Sequence, residues 1–176
     1  MHLINGGFMK LLVLCFAFLL VSAQTLQAAP DFSEKVKKSM ASLKDRCTKL
    51  GTPKVEGEAT VAGKKVPVLY FGTTKMNDDF TIVDSLKNEM GGTATLFVKA
   101  GNEFVRITTN VQKEDGQRAL GTILDPAGKA IVNINKGEAF FGEVDILGKM
   151  YTTGYEPIRD AAGKTIGVFY VGYLKL

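Results

Sequence analysis

The sequence is short of the residues on which most enzymes and metal proteins depend. It has one histidine, His2, and two cysteines, Cys15 and Cys47, in 176 residues. His2 precedes the N-terminal apolar run, so everything after that run lacks histidine. This excludes a Ser-His-Asp triad, a Cys-His pair and general-base catalysis by imidazole. Structural zinc sites need clusters of Cys and His, which are absent too. No glycine-rich phosphate loop of the GxxxxGKS or GxxxxGKT kind occurs, and no twelve-residue calcium loop with regular Asp and Asn spacing. Charge of one sign is also scarce: the formal net charge is +4. Six basic residues fall between Lys35 and Lys49, too sparse a stripe for nucleic acid and better read as a solvated helix face. No metal, no cofactor and no nucleic-acid partner is therefore expected.

After Lys10, the run Leu11–Val21 is apolar without a break and then turns polar at Ser22-Ala23-Gln24-Thr25. It is about half the length of a bilayer-spanning helix and has the pattern of a secretory signal peptide. Residues 1–29 are read as that leader, with cleavage between about residues 23 and 29 and the true start at Met1 or Met9. A periplasmic or secreted location follows. Once the leader leaves, Cys47 is the one remaining thiol. It can form no internal disulfide and reads as a small core residue.

The remainder, 30–176, is of a length for one domain. Phe32, Val36, Met40, Leu43, Cys47 and Leu50 recur at steps of three and four, predicting an amphipathic helix over Asp31–Leu50. Asp31 and Glu34 resemble a capping box, and Gly51-Thr52-Pro53 stops the helix. A hairpin is expected in Val55–Phe71, turning at Ala62-Gly63-Lys64-Lys65, followed by a short helix to Met90 capped by Asp78 or Asp79. From Gly91 the period becomes strand-like. Strands are predicted at Thr93–Lys99, Glu103–Val111, Ala139–Ile146, Met150–Ile158 and Thr165–Leu174, with an irregular insert after the second. Short turns between them make antiparallel neighbours. The fold class is α+β: an N-terminal helix (30–51), a hairpin and short helix (52–90), and an antiparallel sheet of about five strands (91–176).

The ordered blocks Gly91–Phe97, Phe104–Val111, Arg118–Thr122, Lys136–Gly142, Gly154–Ile158 and Ile166–Tyr173 resemble the single-Cache domains, in particular the branch that fuses Cache types 3 and 2. The resemblance covers about Val66–Tyr173. It implies a PAS-like fold, extracytoplasmic sensing of small organic molecules such as carboxylates or amino acids, and a role in signal transduction. A membrane receptor or sensor kinase is the partner it implies. Chemoreceptors of this kind carry a second membrane segment and a signalling domain; this chain ends at Leu176 and resembles the stand-alone secreted forms. Pairing of two copies through the N-terminal helix, or docking of a receptor by that helix, is the competing expectation.

Arg106 stands out. It lies mid-strand among β-branched residues, and side chains alternate along a strand. Phe104, Arg106 and Thr108 are expected on one face, and Val105, Ile107, Thr109 and Val111 on the other, against the helix. Arg106 then points to the covered side, where a guanidinium needs a partner and its fork matches a carboxylate. The readings stand side by side: an anion-binding residue, or else an internal ion pair with Glu143 or Glu156, or simple exposure to water. Tyr151 and Tyr155, on one face of their strand, could wall the same pocket. Phe141 is a further wall candidate, and Thr108 and Asn110 could add neutral hydrogen bonds. Glu143 and Asp145, two apart, resemble a glycosidase pair, but a solvated strand face is the simpler account, and no enzyme is expected.

Overall fold

In a computed structural model, residues 32–175 are described; the expected leader and cleavage region, and Asp31 of the expected capping box, lie outside them. The apolar stripe folds as expected. Helix α1 (Ser33–Thr48) buries Val36, Met40, Leu43 and Cys47. Phe32 occupies its N-cap position without a side-chain hydrogen bond. The helix instead starts by stacking Phe32 on Tyr173, ring centroids 5.3 Å apart. Leu50, assigned to the stripe, is past the helix end and exposed.

Strands β1 (Pro53–Val61) and β2 (Lys64–Phe71) form the hairpin. Its turn is Ala62-Gly63 alone, both residues at positive φ, and Lys64 already pairs with Val61. A left-handed pair matches the twist of a two-residue hairpin, so the loop is two residues shorter than predicted. The short β3 (Thr74–Lys75) completes this small sheet in the order β1-β2-β3. Pro67 sits in β2 beyond the reach of β3, where its missing donor is harmless. Asn77 carries the pairing on with its side chain: Oδ1 accepts from the Leu69 amide at 2.9 Å and Nδ2 donates to the Pro67 carbonyl at 3.1 Å. Asp79 accepts from the Thr81 amide at 2.9 Å, starting α2 (Thr81–Met90).

The main sheet is antiparallel, in the order β5-β4-β8-β7-β6. Its strands are β4 (Thr93–Ala100), β5 (Glu103–Thr109), β6 (Phe140–Ile146), β7 (Lys149–Arg159) and β8 (Thr165–Leu174). One face is covered by α1, which lies on β7 and β8 and against α2. The other is covered by residues 110–139, which include α3 (Lys129–Asn135). Two apolar cores result. The α1-side core holds Leu43, Leu96, Val98, Ile107 and Val171; the insert-side core holds Phe97, Phe104, Ile134, Tyr155 and Tyr170. None of the helices in the described residues is long and apolar enough to cross a membrane.

β5 corrects the predicted faces. Leu96 pairs with Thr108 but Phe97 pairs with Arg106, so Ile107 is an extra residue, a β-bulge. A one-residue shift sends every later side chain to the opposite face. Arg106 and Phe104 stay on the insert side. Thr108 turns to the α1 side, while Thr109 pairs with Thr95 and Val111 enters the insert-side core.

Candidate functional site

The insert reaches its place through Arg118. Its guanidinium forms two hydrogen bonds to the Asp84 carboxylate, 2.8 and 2.7 Å, donates to the Thr109 carbonyl at 2.7 Å, and lies over the Phe80 ring. The chain then runs beside β5. The Gly121 amide donates to the Arg106 carbonyl, the Arg106 amide to Thr122, and the Leu124 amide to Phe104, each at 2.9 Å. Gly121 has φ +72°, and a Cβ there would meet the Ala62 Cβ at 2.8 Å, so only glycine lets the insert pass the hairpin turn. Between this segment and the β6-β7 hairpin lies a cavity of ≈460 Å³, within the usual size of small-molecule sites.

Arg106 lines that cavity and is the one charged residue buried among those described, 5% exposed. Its single side-chain hydrogen bond runs from Nη1 to the Thr122 hydroxyl, 3.0 Å. Nε is buried without a partner. The guanidinium stacks over Phe97 at 5.1 Å. No carboxylate reaches it. Glu156 pairs with Lys44, and Glu143 accepts from Lys175 at 2.5 Å. Burial lowers the Arg106 pKa, because the interior disfavours the cation.

Tyr155 also lines the cavity, 3% exposed. Its hydroxyl has no hydrogen-bond partner among the described residues. Burial raises its pKa, so it stands as a neutral donor. Its ring packs on Tyr170, centroids 5.0 Å apart, while the Tyr170 hydroxyl is taken by Thr93 at 3.0 Å. The cavity thus gathers two donors, guanidinium and phenol, with capacity to spare. That combination suits an anion.

The other expected residues are placed elsewhere. Thr108 donates to the Asp79 carbonyl at 2.5 Å. Asn110 accepts from the Ala94 amide at 2.7 Å and donates to the Val83 carbonyl at 2.6 Å. Both serve α2 and its connection, as the bulge dictates. Phe141 pairs with Gly154 on the α1 side and is 43% exposed. A Cβ on Gly154 would meet Phe141 and the Val36 side chain at 2.7 and 3.0 Å. Phe140, its neighbour, is the ring that packs toward Tyr155. Tyr151 packs against the insert-side core without lining the cavity. Sequence reasoning missed Thr122, Leu124 and Ala130, which belong to the insert; only the Arg118–Thr122 block hinted at them.

Cys47 is buried in the α1-side core, and burial pushes its thiol up to about 12, so no thiolate is available at neutral pH. Asp145 accepts from the Gly148 amide at 2.9 Å, and with Glu143 bound to Lys175 the two carboxylates act as hairpin and surface contacts. No group of three metal-ligating side chains occurs among the described residues.

The family described as the Cache 3/Cache 2 fusion domain matches residues 20–175. The chain belongs to this family. Cache domains are extracytoplasmic sensing domains of signal transduction, and the strand order and insert of this Cache domain are where such a site would be built. A comparison with curated proteins finds no match.

Proposed function

We propose that this Cache domain binds a small organic molecule bearing a carboxylate, an organic acid or an amino-acid-like compound, in the cavity between the insert and the β6-β7 hairpin. Arg106 meets the carboxylate through Nη2, the terminal nitrogen that Thr122 leaves free, and Tyr155 donates a further hydrogen bond. The observation that carries this reading is a buried arginine with no anionic partner. A cation in that state is unfavourable unless a ligand completes it. The leader would export the chain to the periplasm or beyond, where the loaded domain informs a membrane receptor or sensor kinase. The apolar stripe of α1 is committed to the sheet, so self-association through this helix would have to use its charged outer face.

The test is a thermal-shift and calorimetric screen against short carboxylates, amino acids and purines. A ligand at 100 times its Kd adds about 2.7 kcal/mol. The expected result is a shift that disappears in Arg106→Ala. A protein that melts cooperatively and responds to none of them would favour receptor docking or self-association instead.

A further inference from the structure

The cavity is chemically one-sided. Arg106 and Tyr155 form its polar end. Leu124, Ala130, Val144 and Ile146 supply side chains to it from the insert-side apolar core. No second buried charge exists among the described residues; Asp125, Lys129, Glu143 and Asp145 also line the cavity but are exposed, at its mouth, three of the four being carboxylates. Over that mouth stands the β6-β7 turn, Leu147-Gly148, both at positive φ, 54° and 79°. A turn of this kind favours Asn-Gly or Asp-Gly, and a left-handed backbone is unfavourable for leucine. Leu147 gains little burial in return, being 46% exposed, and Met150 beside it is 44% exposed. Both line the cavity. Leu147 is thus strained without burial to offset it, and backbone strain of this kind gathers at ligand clamps.

Resting on the carboxylate reading above, we propose that the cavity selects acids with a single negative group and an apolar tail, and that Leu147 and Met150 cover that tail. A short dicarboxylate would press its second charge against Leu124, Val144 and Ile146, with no second buried cation to meet it and with the carboxylates Asp125, Glu143 and Asp145 outnumbering Lys129 at the mouth.

The experiment is calorimetric titration of the full chain with sodium acetate, butanoate, hexanoate and succinate. Affinity should rise about fourfold per added methylene until the cavity is full, and succinate should bind at least roughly tenfold more weakly than butanoate. Leu147→Asn, which suits the left-handed turn and therefore keeps the fold, should lower hexanoate affinity about tenfold and acetate affinity at most about twofold. Equal affinities from acetate to hexanoate, or succinate tighter than butanoate, would overturn the tail reading, and if Arg106→Gln still abolished binding the carboxylate reading would survive. A Leu147→Asn variant that binds every acid like the wild type removes Leu147 from the site. Binding of no acid at all, or binding indifferent to Arg106→Gln, would sink both readings together.

Discussion

On the α1 side of the main sheet, Asn77, Thr108 and Asn110 are buried, and each reaches a backbone group with its side chain. On the insert side, Arg106 is buried as deeply, yet its Nε finds nothing. Thr95 and Thr109 on that side satisfy each other, so the capacity left over from the fold is concentrated at Arg106. Burial alone does not separate structural from functional polarity, whereas hydrogen-bond accounting does.

The comparison can be broken from either side. The largest effect is expected from Leu43→Ala, at a fully buried position of α1. It should destabilise by about 2–5 kcal/mol in denaturant unfolding while leaving ligand affinity of the folded protein unchanged. Asn110→Ala takes the side-chain acceptor from the Ala94 amide and the second donor from the Val83 carbonyl and should cost about 1–3 kcal/mol, again without an effect on affinity. Arg106→Met should do the opposite: lose binding and gain stability, by about 1–2 kcal/mol. The sign follows from its depressed pKa. The fold disfavours the cation, and arginine stays charged far above neutrality, so the gain should be the same at about pH 5 and about pH 9. A loss of stability in this variant would mean that Arg106 is a structural residue after all. The smallest effect belongs to Leu147→Asn, expected to raise stability by under about 1 kcal/mol through relief of the left-handed leucine, measurable as a modest rise in Tm.

Much of the fold was legible because it rests on periodicity. The stripe of α1 and the alternation in Phe104–Ile107 depend on spacing alone, and spacing is what a sequence displays. The facing of Arg106 and Tyr155 toward the insert follows from it. Thr108, Asn110 and Phe141 were misplaced because parity beyond a given residue requires knowledge of where a strand bulges or begins. Nothing in Glu103–Val111 marks Ile107 as the extra residue, since β-branched residues suit paired and bulged positions alike. On β6, the adjacent Phe140 and Phe141 are chemically equivalent choices, and only the facing Gly154 decides between them. The capping box rests on Asp31, outside the described residues; beside it, Phe32 stacks on Tyr173, 141 places away, a contact that no one-turn motif reveals.

The bulge at Ile107 has a further consequence, for how this strand can change over generations. The half of β5 before it serves the cavity, and the half after it serves α2. Deleting Ile107 itself would leave Phe97–Arg106 and Leu96–Thr108 as consecutive pairs and keep every side chain in its layer, whereas a change of length that the bulge does not absorb would exchange the two sets of side chains between layers. Gaining a residue before it would turn Arg106 away from the cavity by the same rule. β5 should therefore accept a change of letter far more readily than a change of length, and relatives that share this site should keep its spacing even where they replace its residues.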